Sequence, residues 1–184
     1  FVTISRTIAA KKAQGIDVIS FGIGDPDRET PGFILDALDR GTRNTPNHRY
    51  PESEGLPEFR KSVTDWYERR FGVSLNPETE AISLIGAKEG IGHAALAFLN
   101  PGDMAIMPDP AYPVYDVGTI FAGGVSYKVP MHEEAGWLVD LDDIPSDVAK
   151  DAKLLWLNYP NNPTGGVAPL EYFNKVVEYA KAND

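Results

Sequence analysis

Residues 153–166, KLLWLNYPNNPTGG, change character halfway through. Lys153 to Leu157 is a short apolar run that predicts a strand. Three asparagines, two prolines and two glycines follow within nine residues, with hardly a spacer. Pro163 pushes Asn162 away from the helical region and towards an extended shape, so that its amide projects as a fixed donor or acceptor. A rigid turn capped by its own asparagines is the alternative reading. The segment therefore predicts a strand that ends in a stiff polar loop.

Upstream, the same alternation of strand and helix recurs. Asp17 to Phe21, Ala81 to Ile85, Met104 to Met107 and Val125 to Val129 read as strands. Helical spacing covers the N-terminal stretch up to Gly15, Phe33 to Asp39 after Pro31, Leu56 to Arg70 ending at Gly72, Glu89 to Leu99, and Leu170 to Ala180. Tyr112 to Phe121 is a further helix candidate. Such alternation predicts an α/β fold, a mostly parallel sheet with flanking helices. In sheets of that kind ligands collect at the carboxyl ends of the strands.

Bulk properties narrow the function. The chain has 184 residues and a net charge of −10, which argues against a nucleic-acid binder with its basic face. It contains no cysteine, so disulfides and thiolate chemistry are out. No apolar run approaches the roughly 20 residues of a membrane span. The N-terminal stretch lacks the continuous apolar core of a signal peptide. A soluble cytoplasmic protein is the expectation, with no metal site suggested.

Two more strand ends carry candidate chemistry. At Gly86-Ala87-Lys88-Glu89-Gly90 a strand passes into a helix. A helix start offers unpaired N–H groups and partial positive charge, an anion site. Lys88 has the wrong sign for that end of the helix dipole, which a bound phosphate or carboxylate would reverse; a solvated lysine is the alternative. At Pro108-Asp-Pro-Ala-Tyr-Pro113 two prolines bracket Tyr112, placing a stiffened aromatic where a flat ring could stack. A core tyrosine in a braced turn is the plainer reading. Anion cradle, flat aromatic and fixed amide together suit a phosphorylated heteroaromatic cofactor.

With these residues in view, a family resemblance emerges. NNPTG at 161–165, GIGDPD at 22–27, RYPESEGLPEFR at 49–60, GAKEG at 86–90 and NPGD at 100–103 resemble, in order, segments of the class I/II aminotransferases, pyridoxal-phosphate enzymes of fold type I. In style they most resemble the LL-diaminopimelate aminotransferases and related enzymes that transaminate aspartate. The resemblance implies that Gly86, Ala87 and Lys88 underlie the cofactor phosphate, Tyr112 stacks on the pyridine ring, and Asn162 holds the ring's phenolic oxygen and helps seat the α-carboxylate. It implies that Lys88 also reaches a distal substrate carboxylate and that Gly24 approaches the substrate carboxylate. It further implies that Tyr50 crosses a homodimer interface to the neighbour's phosphate, and that Asp109-Pro110 and Asn162-Pro163 are cis.

By the same resemblance, residues 1–28 begin a small domain and 29–184 form the N-terminal part of a large cofactor domain. The family's Schiff-base lysine, ring-nitrogen aspartate and carboxylate-binding arginine would come after Asp184, so this chain reads as the N-terminal half of an aminotransferase. The expected reaction moves an amino group between an amino acid and a 2-oxo acid such as 2-oxoglutarate. A lyase of the same fold, a regulator that senses the cofactor, and a phosphate-binding domain without catalysis remain as alternatives.

Overall fold

The computed structural model describes residues 2–22, 24 and 26–183. Ile23 and Asp25 of the GIGDPD motif lie outside them. The chain packs as two units, residues 1–51 and 52–184.

The first unit holds α1 (Val2–Ala13) and α2 (Gly32–Arg43). A short 3-10 turn, Thr45–Asn47, follows α2. Asn47 Nδ2 donates to Gly41 O at 2.7 Å, and His48 Nε2 donates to Thr42 O at 2.6 Å. These bonds fold the segment before Arg49 and Tyr50 back onto the end of α2. Asp17 to Phe21 has strand-like composition yet forms no strand. Its apolar side chains Ile19 and Phe21 are exposed, and no ladder partner lies among the described residues.

The second unit contains α3 (Pro57–Phe71), α4 (Ala87–Phe98), β1 (Met104–Asp109), α5 (Val114–Phe121), β2 (Val125–Pro130), α6 (Ser146–Asp151), β3 (Ala152–Leu155) and α7 (Leu170–Ala182). α3 starts with Pro57 in its first turn, where a missing N–H costs nothing, and ends at Gly72. The three strands form one parallel sheet in the order β2-β1-β3. Central β1 is buried along most of its length, as expected for a parallel strand covered on both faces.

Alternation along β1 separates two cores. Ile106 faces one side and packs with Val129, Met131, Val139, Ile144 and Ala149, with Tyr179 of α7 against them. Ala105 and Met107 face the other side and pack with Ala95 and Leu99 around α4 and Tyr115 of α5. The strands expected at 104–107, 125–129 and 153–157 are therefore present, the last ending two residues early. Ala81 to Ile85 is a correction: it forms no strand and pairs with none among the described residues. One backbone bond, Ser83 N–H to Glu54 O at 2.9 Å, ties it to the loop before α3. α6 was not legible, because six residues are too few to show helical periodicity.

Candidate functional site

Segment 81–85 delivers the chain to Gly86, whose φ of 149° and ψ of 159° lie in a region essentially open to glycine alone. The backbone turns there and α4 begins. No side chain caps this helix start. Glu89 instead reaches back, its Oε2 accepting from Ile85 N–H at 2.7 Å. That bond pins the turn from outside and leaves the amides of Ala87 and Lys88 without partners among the described residues. Gly86 has nothing within 4 Å of where a Cβ would sit. The cradle is open, uncapped and positively polarised, which fits an anion.

Lys88 is exposed, and its Nζ lies 5.7 Å from the centre of the Tyr112 ring. Tyr112 follows the carboxyl end of β1 and is half-buried. Its ring meets Tyr115 edge-on at 6.1 Å, and Tyr115 stacks on Trp156 at 5.1 Å with 12° between the planes. This aromatic pile links Trp156, just past β3, through Tyr115 to Tyr112. Burial, followed by the proximity of Tyr112, pushes the Tyr115 phenol upward, so Tyr115 remains neutral and serves as packing.

The asparagine-proline loop closes on itself. Asn161 N–H donates to Gly166 O at 2.8 Å, and Gly165 N–H donates to Asn161 O at 2.7 Å. Asn158 Oδ1 accepts from Asn162 N–H at 3.1 Å. The backbone of Asn162 is thereby held while its side chain stays exposed. Asp109-Pro110 and Asn162-Pro163 are both cis, as the resemblance implied, and Tyr159-Pro160 is cis as well.

Asn161 was missed by sequence reasoning. It is 4% exposed; its Nδ2 donates to Thr164 Oγ1 at 2.9 Å and makes a long contact of 3.4 Å with Pro110 O. It thus links the loop of Asn162 to the loop of Tyr112. The buried Asn161 Oδ1 has no partner among the described residues. In sequence the two adjacent asparagines look alike, and only burial separates the brace from the presented amide.

Thus the turn at 86–88 lies beside Tyr112 through Lys88, and the loop of Asn162 lies beside the Tyr112 loop through Asn161. Gly24 and Tyr50 belong to the first unit, where both are exposed. Among the described residues, no cluster of histidine, aspartate and glutamate suitable for a metal exists. No helix there is long and apolar enough to cross a membrane.

Comparison with known proteins identifies the family. The family model described as aminotransferase class I and II matches residues 16–184. LL-diaminopimelate aminotransferase of Dehalococcoides mccartyi is 56% identical over 98% of this chain and 46% of its own length. The enzyme of that name from Aquifex aeolicus is 55% identical over 98% of this chain and 47% of its own. Among solved structures, a probable N-succinyldiaminopimelate aminotransferase from Thermus thermophilus superposes with a TM-score of 0.91 at 35% identity, covering all of this chain and 49% of that one. The chain thus spans about half the length of the relatives it matches. The family match over residues 16–184 shows that the chain belongs to the class I and II aminotransferases.

Proposed function

We propose that this chain supplies the cofactor-gripping half of a pyridoxal-phosphate-dependent aminotransferase that acts on LL-diaminopimelate or an aspartate-like donor, with a 2-oxo acid such as 2-oxoglutarate as acceptor. The observation that carries this reading is the juxtaposition of an uncapped helix start, a propped aromatic and a presented amide, with Lys88 Nζ 5.7 Å from the Tyr112 ring centre. The names and identities of the relatives support the substrate class.

Bound pyridoxal phosphate supplies an electron sink for the carbanion formed at the substrate Cα. The N–H groups of Gly86, Ala87 and Lys88 would hold the phosphate, whose charge complements the helix start. Tyr112 would fix the ring plane. Asn162 would donate to the phenolic oxygen and seat the substrate α-carboxylate, with Gly24 approaching that carboxylate. Lys88, exposed and long, would bring positive charge to a distal carboxylate or to the phosphate.

Tyr50 would act in trans on the partner subunit of a homodimer. Residues 1–28 would open the small domain and 29–184 the large one. The covalent lysine would come from outside residues 1–184, since no other lysine of this chain belongs to the three loops.

The test is turnover of the full-length protein with LL-diaminopimelate, aspartate and alanine, each paired with 2-oxoglutarate. Glutamate formation is expected, fastest with one of the first two donors. Release of ammonia and a 2-oxo acid without any acceptor would instead establish a lyase. Binding of the cofactor with no reaction would leave a sensing role.

A further inference from the structure

One feature behind the asparagine-proline loop has no part in gripping a cofactor. Gly136 has φ 67°, and Trp137 follows it with φ 61°. A bulky residue in the left-handed region is an outlier that survives only where its surroundings impose it. Here Trp137 N–H donates to His132 O at 3.0 Å, which closes the turn. Gly166 presses on the outer side of that turn. A Cβ on Gly166 would lie 2.6 Å from Trp137 Cβ and 2.9 Å from Gly136 O, so only glycine fits.

Two residues on, Val139 is 2% exposed and has both backbone polar groups bound to phenols. Its N–H donates to Tyr159 Oη at 3.0 Å, and its carbonyl accepts from Tyr172 Oη at 2.9 Å. The two rings meet edge-to-face at 5.4 Å. Tyr172 lies in the first turn of α7, and Tyr159 lies in the asparagine-proline loop itself. Burial, and then the neighbouring Tyr159, push the Tyr172 phenol far upward, so it remains a neutral donor.

We infer that Tyr159, Gly166 and the segment Gly136–Val139 form a positioning brace that holds the asparagine-proline loop at both of its ends and thereby fixes the Asn162 amide. Tyr159 anchors the loop before Asn162, and Gly166 seats it after. Asn161 closes it between them, through its bonds to Gly166 and Gly165. Tyr159 and Tyr172 are positioning residues that act through Asn162. The brace rests on the reading of Asn162 given above.

The test compares Tyr159→Phe, Tyr172→Phe and Asn162→Ala in the full-length protein. In the cofactor-free protein, amide hydrogen exchange at Asn161 and Gly165 should accelerate in Tyr159→Phe beyond any global change in stability. In the cofactor-loaded protein, the pH midpoint of the visible cofactor band should rise in Asn162→Ala, because a donor to the phenolic oxygen is lost. It should rise in the same direction, by less, in Tyr159→Phe. Loss of one hydrogen bond in the brace should lower kcat roughly three- to tenfold with little change in KM. Tyr172→Phe removes the second phenol and should move the same readouts, which covers the case in which Tyr159→Phe does not accumulate.

If Asn162→Ala moves the band and the tyrosine variants melt earlier without moving it, the tyrosines are merely structural and the brace is refuted. If Asn162→Ala leaves the band unmoved, the reading of Asn162 falls and the brace falls with it.

Discussion

Lys88 and Asn162 both present exposed side chains, yet their variants should fail differently. The Lys88 side chain is exposed, with the face of Tyr112 beside it. Asn162 has its N–H bound to Asn158 Oδ1, while its side chain is exposed. Asn162→Ala should therefore reduce kcat by roughly 10- to 100-fold, the range for a hydrogen bond to a charged group, while leaving the melting temperature nearly unchanged. Steady-state kinetics beside a thermal melt checks this; a fall in stability as large as the fall in rate would mean that the side chain holds the loop. Lys88→Ala should lower kcat/KM for dicarboxylic donors by roughly 10- to 100-fold and for alanine by much less. Equal losses for all donors would assign Lys88 to the phosphate alone.

At the scale of elements, some motifs prove architectural. NPGD at 100–103 is a turn between α4 and β1: Asp103 Oδ2 accepts from Asn100 N–H at 2.7 Å and from Asn100 Nδ2 at 3.1 Å. These bonds, the backbone one first, hold the Asp103 carboxyl below its ordinary range. A depressed folded-state value means that the contribution to stability is full above the ordinary aspartate range and is lost as pH falls through the folded value. Asp103→Ala should therefore be less stable than the parent at pH 7, and the gap should close only under strongly acid conditions. Urea melts across pH measure this; a gap independent of pH would remove the ionised carboxylate from the account. In β1, Ile106→Ala should cost about 2–5 kcal/mol, since the residue is 2% exposed in the core.

The paired strands were legible because each is a short apolar run bracketed by turn residues. Asp17 to Phe21 and Ala81 to Ile85 have the same composition. Composition reports extended backbone, however, and a strand needs a ladder partner that local sequence does not name. The uncapped helix start at 86–88 was legible for the opposite reason: Gly86, Ala87 and Lys88 are contiguous, so the turn and the helix it opens are read together from local sequence. The brace was not, since the partners of Val139 lie 20 and 33 positions away and a tyrosine in sequence does not announce what its hydroxyl will meet.

For the whole molecule, the proposed function places Tyr50 in the site of a partner subunit, so that each site would be completed across a dimer interface. Tyr50 is fully exposed, on a segment tied back to α2 by Asn47 and His48. Tyr50→Phe should weaken pyridoxal phosphate binding by roughly 10-fold, the loss of one charge-assisted hydrogen bond, with the dimer intact by light scattering. Full activity in a monomer would rule out shared sites. Under the proposed function, Gly86–Lys88, Tyr112 and Asn162 would hold pyridoxal phosphate by its phosphate, ring face and phenolic oxygen, while the covalent lysine would come from elsewhere. Borohydride reduction of the full-length protein loaded with pyridoxal phosphate, followed by peptide mapping, tests this arrangement. One stoichiometric adduct on a lysine outside residues 1–184 is expected, with Lys88 unmodified; a stoichiometric adduct on Lys88 in an enzyme that turns over would overturn the arrangement.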